Sequence, residues 1–493
     1  MIKVECDPSV LIELQKAFPK PANSAKRQLD KYLRLIEVLI YMSMFKRSNY
    51  ARIMKSYDVP LKSIWELGPT INNKEYRVHE WLEKNNLALL KNIRKDASNF
   101  TKEHALLKPT NLLKVKNDDL LNKLRLISSN ELDVFLDTLT NESKEIVDHY
   151  QKEFNALDLS NKISKYHTTE IDIKSLKNYI RNLVNEKIKL NRIQEETYLF
   201  QAEAILRIAQ VNNGLLHQKI DKKAFGRTYY EGHSVQSVNK GLREAFLGDS
   251  WEYDCKSCST SWKISFAHEW QSQKKRRKLS VEQSFSAMYF YLNNKNKFFE
   301  IVSKEIFQTD SALSDTQKKD IIKEAMTALG FGAKLSLGKW RDIKGEERMT
   351  SLKEIFKKDI ETLKRFIDCS LVQKFNDEQA ILNKFIVNKF LVDDQWLKDM
   401  ALEESRKKCK FTQAQKVVWL FQHAETIMMD KVREELKKLN KTVLANVHDA
   451  IVIRERLTIS VRKNIERVVR DYTKVRYFAL GETPYHRCPF SNQ

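Results

Sequence analysis

Two aspartates are the residues whose type and position could do chemistry in this sequence. Asp449 lies between two short apolar, β-branched runs, Val443–Val447 and Ile451–Ile453, which have the residue types of buried strands. Asp254 ends the aromatic segment that begins at Trp251. A carboxylate held at the edge of a sheet is costly to desolvate unless a cation pairs with it. Two such carboxylates on separate strands could converge on divalent metal ions, although either Asp taken alone could simply cap a turn.

The overall charge indicates a polyanionic partner. The 493 residues include 87 Lys and Arg against 65 Asp and Glu, a formal net charge of +22. This excess favours nucleic acid, and an anionic lipid surface is the alternative that charge alone leaves open. No apolar run approaches the ~20 residues of a membrane span, so membrane insertion is not expected. Acids that converge within so basic a chain favour phosphoryl chemistry on nucleic acid.

Besides the two aspartates, a set of four residues repeats at helical spacing. Lys319, Lys323, Thr327 and Phe331 are four positions apart, which predicts that they lie along one face of a helix. Two ammonium groups followed by an aromatic ring could bind a triphosphate and stack on a base or sugar. For this helix viewed alone, the alternative is a solvated lysine pair beside a core phenylalanine. The position of the segment between the two aspartates favours the triphosphate interpretation.

The elements that must position these groups are mainly helices. Only 11 Gly and 8 Pro interrupt the sequence, and long segments repeat apolar residues every three or four positions, as in Leu176–Leu190. The pattern predicts a helical block from about 276 to 400 and an amphipathic helix from Ile459 to Phe478. The chain is therefore expected to be α+β and helix-rich, with one sheet interrupted by a large helical insertion.

The six cysteines are scattered, which fits reduced thiols better than a disulfide framework and predicts a cytoplasmic location. Cys255 and Cys258 have the spacing of half a zinc site, but no second pair or nearby Cys/His cluster completes four ligands, so structural thiols are favoured. The first residues predict neither a secretory signal nor a transit peptide.

Four motifs follow one another along the chain: Gly226-Arg227, Asp254, Lys323 to Gly332, and His448-Asp449. In this order they resemble the motifs of the family A polymerase superfamily, which includes the single-subunit phage and mitochondrial RNA polymerases and the DNA polymerase I-like enzymes. The resemblance covers the chain from Gly226 onward. It implies that Asp254 and Asp449 hold two catalytic Mg²⁺ ions, with Mn²⁺ as an alternative, and that Lys323 contacts the phosphates of the incoming nucleotide.

The resemblance also implies further binding residues. Lys319 stands where the family usually has Arg, which keeps the charge but loses bidentate phosphate recognition, and Phe331 replaces the usual Tyr. The nucleotide-binding set is predicted to be Lys319, Lys323, Thr327, Phe331 and Ser259. The nucleic-acid-binding set is predicted to be Gly226, Arg227, Gln422, His423 and His448.

The motifs contain matches to both branches of the superfamily. The short spacing between Gly226 and Asp254 is similar to the DNA polymerases, and Gln422 can be matched to a Gln of those enzymes. The segment around Cys258 and the Phe-Gln-His-Ala run that contains Gln422 are similar to the RNA polymerases. The DNA enzymes place a Glu that crowds the ribose 2′-hydroxyl where this sequence has Ser259. The small side chain leaves room for the hydroxyl and favours ribonucleotides.

The resemblance implies a right-hand polymerase that carries out template-directed nucleotidyl transfer. The expected parts are a helical N-terminal region and thumb in 1–200, a split palm in 201–275 and 401–493, and fingers in 276–400. A compact single-subunit DNA-dependent RNA polymerase or primase-like enzyme is favoured, with a phage or mobile-element origin. Expected partners are a DNA template, an RNA or DNA product, and nucleoside triphosphates. The alternatives are a compact DNA polymerase without proofreading exonuclease and a catalytically silent nucleic-acid-binding module.

Overall fold

The structure is a computed structural model, and the chain in it divides into two compact units. The first comprises Met1–Asp221, Tyr229–Ser250 and Pro484–Gln493, and the second comprises Lys222–Thr228 and Trp251–Thr483. The structure describes residues 4–17, 29–30, 32–33, 35–36, 57–60, 89–96, 99–108, 113–115, 120–138, 154–188, 190, 192–221, 227–273, 279–308, 313–338, 340–341, 347–348, 350–356, 359–393 and 413–487.

Within its described residues, the first unit contains helices together with three small sheets. Its strands are β1 (Val4–Cys6), β2 (Tyr57–Pro60), β3 (Leu89–Asp96), β4 (Asn99–Lys108), β5 (Leu113–Val115), β6 (Tyr166–Glu170), β7 (Leu215–Asp221) and β8 (Tyr229–Glu231). Its helices are α1 (Pro8–Ala17), α2 (Leu120–Leu126), α3 (Ser129–Thr138), α4 (Leu159–Lys165), α5 (Ile173–Val184), α6 (Arg192–Val211) and α7 (Lys240–Leu247). The strands pair antiparallel in the orders β1-β5, β2-β4-β3 and β6-β7-β8.

The remaining elements belong to the second unit, except that the strand residues Ser250, Pro484 and Tyr485 belong to the first. The strands are β9 (Ser250–Asp254), β10 (Trp340–Arg341), β11 (Glu347–Arg348), β12 (Val443–Val447), β13 (Ala450–Ile453) and β14 (Thr483–Tyr485). The helices are α8 (Cys258–Ile264), α9 (Ala267–Ser272), α10 (Val281–Ser284), α11 (Ser286–Asn293), α12 (Lys295–Ile306), α13 (Asp315–Gly330), α14 (Ser351–Ile355), α15 (Ile360–Asp368), α16 (Ser370–Asp393), α17 (Gln413–Lys438) and α18 (Ile459–Thr473).

A four-stranded sheet in the order β12-β13-β9-β14 is the centre of the second unit. Strands β12 and β13 form the predicted hairpin, and β13 pairs antiparallel with β9. All four residues of β13 are buried, as expected of a central strand covered on both faces, which explains its uninterrupted apolar sequence. The two strands that precede and follow the helical insertion are thus neighbours in one sheet.

Helix α13 has clear start and stop signals. Ser314 forms a capping box with Gln317 at its beginning. At its end, the amide of Ala333 donates to the carbonyl of Ala328 and the amide of Gly332 donates to that of Leu329, both at 2.9 Å. This is a Schellman motif, in which Gly332 takes the left-handed conformation with φ of +85°. A Cβ at position 332 would also lie 2.5 Å from the Cβ of Ala414, so glycine is required twice over.

One hydrophobic core joins α13 to the sheet. The buried stripe of the helix, which includes Ile322, Met326 and Leu329, belongs to the same cluster as Tyr253 on β9 and Ile451 on β13. The opposite face of α13, which carries the lysines, is therefore held in place relative to the strands that carry the aspartates. No helix in the described ranges combines the length and apolar character that crossing a membrane would require.

Several expectations from the sequence need correction. The N-terminal 200 residues are not helical throughout, since β1 to β6 lie there; pairing between distant segments, such as β2 with β4, is a tertiary contact that helical periodicity cannot report. Helix α5 ends at Val184 and not at Leu190. Helix α18 ends at Thr473 and not at Phe478, because Lys474 adopts the left-handed conformation and caps it. The insertion also contains the short β10–β11 pair.

Candidate active site

The register of the sheet brings the two aspartates together. Ala450 on β13 is paired with Asp254 on β9, so Asp449, the residue before Ala450, lies beside the end of β9. The amide of Cys255 donates a hydrogen bond to the carbonyl of Asp449 at 2.8 Å, which joins the turn to the following residue of the other strand. In the turn, His448 adopts φ of 56°, a conformation in which His is enriched among non-glycine residues. Both carboxylates thus lie at one end of the sheet.

Gly481 allows the backbone to approach Asp254 closely. Its amide donates to the carbonyl of Asp254 at 2.7 Å, and a Cβ at position 481 would overlap the Asp254 Oδ1 atom. Any larger residue there would displace the carboxylate. No local pattern in the sequence predicts this constraint, because Gly481 and Asp254 are far apart along the chain.

The environment of Asp449 is strongly charged. Burial raises the pKa of its carboxyl above the ordinary value, the charge of Arg227 lowers it, and the charges of Asp254 and Glu252 raise it again. Glu252 lies two residues before Asp254 on β9 and therefore on the same face of the strand. Repulsion between neighbouring carboxylates is relieved when a cation binds between them, so the electrostatics fit a cation site.

Arg227 is held by a buried glutamate on α17. Its Nη2 donates to Glu425 Oε1 at 2.9 Å and its Nε donates to Glu425 Oε2, which makes the ion pair bidentate. Burial raises the pKa of Glu425, and Arg227 opposes that rise. Because Arg227 also acts on Asp449, this pair links the turn of the hairpin to α17. Gly226, the neighbouring residue of the predicted motif, lies outside the described residues.

Helix α17 also carries Gln422 and His423, both half-buried, about one turn before Glu425. Burial lowers the pKa of His423, and Asp430 opposes that shift. A neutral imidazole is therefore favoured at neutral pH. Gln422, His423 and Arg227 can each offer hydrogen bonds to a polynucleotide, and their role in binding one remains a prediction.

The four residues predicted to share a face are on or next to α13. Lys319, Lys323 and Thr327 are exposed on the helix, and Phe331 is the residue that caps its C-terminus. Lys319 donates to Asn296 Oδ1 at 3.0 Å, and Thr327 donates its hydroxyl hydrogen bond to the carbonyl of Lys323 at 2.7 Å. The ring of Phe331 packs on that of Phe421, with centroids 5.8 Å apart.

Lys295, the first residue of α12, interacts electrostatically both with the lysines of α13 and with Asp254. Burial lowers its pKa, the charge of Lys323 lowers it further, Asp254 raises it, and Lys319 lowers it. Its ammonium donates to the Ser257 hydroxyl at 3.1 Å, in the loop between β9 and α8. Three lysines and one of the two aspartates are therefore within electrostatic range of one another.

Ser259 lies on α8, close to the C-terminal end of α13. Its Oγ is 4.0 Å from where a Cβ on Gly330 would lie. The Oγ is buried, and among the described residues it has no hydrogen-bond partner. The hydrogen-bonding capacity of this hydroxyl is therefore not used by the described protein groups.

Besides Gly481, three residues of this site were missed in the sequence. Lys295 gives no spacing signal, because it lies on a different helix from Lys319 and Lys323. Glu425 had a detectable signal, since it interrupts an apolar stripe on α17 that continues with Met428 and Val432. Glu252 shares its strand face with Asp254, which alternation along β9 predicts.

The two carboxylates of the site can be compared with the ligands that Mg²⁺ commonly uses. No group of three or more His, Cys, Asp or Glu side chains within the described ranges is arranged to hold a metal ion. Mg²⁺, however, commonly keeps several waters and binds one or two carboxylates together with substrate phosphates. Asp254 and Asp449, with lysines nearby for phosphates, fit that mode of binding.

Comparisons with known proteins give little further information. No protein-family model matches the sequence, and no curated protein sequence matches it. Among solved structures, the chain is similar to the POL domain of Pol1 from M. smegmatis in complex with a DNA primer-template and dNTP. That similarity has a TM-score of 0.33 and 11% sequence identity, and covers 76% of this chain and 67% of the other. A likeness at this level defines neither the fold nor the activity of this protein.

Proposed function

We propose that this protein is a template-directed nucleotidyltransferase, and specifically a compact single-subunit DNA-dependent RNA polymerase or primase-like enzyme. One observation carries the proposal: the pairing of Ala450 with Asp254 sets Asp449 beside Asp254 at one end of the sheet, with Lys295 in electrostatic range of Asp254 and of the lysines on α13. Carboxylates next to a cluster of cations are what a phosphoryl-transfer site needs.

Asp254 and Asp449 are the residues proposed to hold Mg²⁺. When bound, the metal lowers the pKa of an attacking hydroxyl and stabilises charge on the phosphates. The protein residues around it then have separate tasks. Arg227, fixed by Glu425, favours the ionised form of Asp449, and Gly481 leaves room for the Asp254 carboxylate.

The triphosphate is proposed to bind along α13. Lys323 and Lys319 offer exposed ammonium groups, and Lys295 adds a third that is partly buried. The burial of Lys295 matters because electrostatic interactions are stronger where water is excluded. Positive charge at these positions stabilises the negative charge that develops on the leaving pyrophosphate.

The sugar is proposed to lie between Ser259 and Phe331. Ser259 is small enough to leave space for a ribose 2′-hydroxyl, so its proposed contribution is the space that a larger residue would fill. Phe331 has no hydroxyl with which to recognise ribose. The pocket is therefore proposed to accept ribonucleotides while rejecting deoxynucleotides only modestly.

The nucleic acid is proposed to bind through the basic surface of the chain and through Arg227, Gln422, His423 and His448. The net charge of +22 favours capture of a polyanion, and phosphate contacts make such affinity fall steeply with salt. The palm, fingers and thumb arrangement, with the palm split around the fingers, belongs to this proposal.

The test is extension by the purified chain on primed and unprimed DNA templates, with either rNTPs or dNTPs and Mg²⁺. Incorporation directed by the template and abolished by EDTA is the expected result, with rNTPs preferred. A strong preference for dNTPs would favour a DNA polymerase instead. DNA binding without any metal-dependent incorporation would indicate a catalytically silent binding module and refute the proposed activity.

A further inference from the structure

Lys263 is a buried lysine to which the proposed reaction assigns no role. It lies on α8 between Trp262 and Ile264, and its relative exposure is 0%. Burying an ammonium is costly unless its hydrogen bonds are made. Lys263 Nζ donates to the carbonyl of Gly330 at 2.7 Å and to Gln379 Oε1 at 2.9 Å. Neither acceptor is charged, so Lys263 has no carboxylate bonded to it among the described residues.

These hydrogen bonds connect three helices at one point. Gly330 is the last residue of α13, and its carbonyl is at the negative end of the helix dipole, where a cation is favourable. Gln379 lies on α16. The buried amino group therefore links the C-terminal turn of α13 to α8 and α16, and both its protonated and its neutral form can donate these two hydrogen bonds.

Ser259 and Lys263 are four residues apart on α8 and so lie on the same face of that helix. Both are directed toward Gly330: Lys263 through its hydrogen bond, and Ser259 with its Oγ 4.0 Å from where a Cβ on Gly330 would lie. The next residue after Gly330 is Phe331. Ser259 and Phe331 form the two sides of the proposed sugar pocket. The hydrogen bond from Lys263 to Gly330 lies next to Phe331 and therefore constrains the distance between them.

We propose that Lys263 is a positioning residue that fixes Phe331 relative to Ser259 and thereby sets the discrimination between ribose and deoxyribose. This inference rests on the proposed polymerase function, because discrimination has meaning only for a nucleotide substrate. Lys263 acts on the sugar through the end of α13, since its own ammonium is bonded to protein groups. Loss of its hydrogen bonds allows the turn that holds Phe331 to shift, and the pocket loses its shape.

The experiment compares wild type with Lys263→Met, which keeps the length of the side chain but removes its donors. The measurement is the ratio of kcat/KM for one rNTP to that for the matching dNTP, on a primed DNA template with Mg²⁺. We expect the ratio to fall to about one, a loss of the wild-type preference, because small displacements within a reactive geometry cost large factors in rate. Hydrogen exchange at the amides of Phe331 to Ala333 should become faster.

A matched control separates positioning from general loss of stability. Val469→Ala removes buried methyl groups from α18 in the same core, away from Gly330, so it lowers stability without altering the sugar ratio. If Lys263→Met does not fold, Lys263→Gln takes its place, since its amide is polar but too short to keep the bond to Gly330. In whichever of the two variants folds, a sugar ratio equal to that of wild type overturns the inference. Absence of metal-dependent incorporation by the wild type is a different result, which refutes the polymerase proposal itself.

Discussion

The aspartates and the lysines of the candidate site are held in different ways. Asp254 and Asp449 are placed by strand pairing in a buried sheet, and Asp449 is coupled to the buried Arg227–Glu425 pair. Lys319 and Lys323 are exposed on the surface of α13. Charges in a buried setting interact strongly and tolerate no rearrangement, whereas exposed ammonium groups are screened and can be replaced one by another. Substitutions in the two regions should therefore differ in size and in the kinetic constant that they change.

The largest effect is expected from Asp254→Asn and Asp449→Asn. Each removes a metal carboxylate, and the loss of several kcal/mol of charge stabilisation should lower kcat by about 100-fold or more. Template binding, measured by fluorescence anisotropy, should remain close to that of wild type. Asp471→Asn, an exposed residue on α18, is the control and should leave kcat unchanged. Wild-type rates in either active-site variant would exclude these residues as metal ligands.

Glu425→Gln tests whether the carboxylate region depends on its buried ion pair. The substitution keeps the shape of the side chain but leaves Arg227 without its charged partner, which should cost about 2 kcal/mol of stability after allowance for the partial exposure of Arg227. The measurement is the denaturant midpoint of unfolding. Glu434→Gln lies on the same helix in an exposed ion pair and should leave the midpoint unchanged. Equal midpoints for both variants would show that the buried pair contributes nothing.

The lysines are expected to differ among themselves. Lys323→Ala should raise the nucleotide KM and lower kcat, by about tenfold in kcat/KM, because its ammonium is proposed to contact the triphosphate in both ground and transition states. Lys295→Ala should have an effect of similar size. Lys319→Ala should change kcat/KM by only about twofold, since its ammonium is bonded to Asn296 and acts less strongly on Lys295 than Lys323 does. Lys304→Ala, on the exposed side of α12, is the control. Changes confined to template affinity and its salt dependence would mean that α13 binds the nucleic-acid backbone.

Substitutions in the proposed sugar pocket should change the ratio of kcat/KM for an rNTP to that for its dNTP by several-fold. Ser259→Glu should penalise ribonucleotides by crowding and by placing an acid near the triphosphate, whereas Ser259→Ala should have little effect on size discrimination. Phe331→Tyr should sharpen ribose selection if the added hydroxyl reaches the 2′-hydroxyl. The ratio of kcat/KM for one rNTP to its dNTP gives the answer in each case. If neither Ser259→Glu nor Phe331→Tyr changes the ratio, the sugar binds elsewhere.

The smallest effect is a pH dependence of stability. Burial lowers the pKa of Lys263 from 10.5 to about 7, and the groups that bond to it, the Gly330 carbonyl and the Gln379 amide, are uncharged. Between those two pH values the unfolded chain binds the proton that the folded chain has lost, so stability rises with pH. Relative to Lys263→Met, wild type should gain a few degrees in Tm between about pH 7 and about pH 9. A Tm difference that stays constant across this window would contradict the shift.

Part of this protein could be predicted from the sequence because it depends on local patterns. The hairpin strands β12 and β13 were expected from two apolar, β-branched runs, and the structure confirms them. Helix α13 was expected from its spacing, and the left-handed Gly332 that follows its C-cap completes the Schellman motif at its end. The helix-rich character follows from the same periodicities, whereas the small antiparallel sheets besides the one that carries the hairpin were not predicted. Signals of this kind extend over a few residues, and one sequence is enough to reveal them.

The tertiary structure alone determined what these elements bring together. Nothing near Glu425 in the sequence indicates that it binds Arg227, and nothing near Gly481 indicates that it must leave room for Asp254. Lys295 lies in electrostatic range of Lys323 because two helices pack together, and Lys263 reaches Gly330 across another helix interface. Such contacts join residues that are distant along the chain, and they depend on strand register and core packing. The sequence supplied the reactive groups, and packing decided which of them meet.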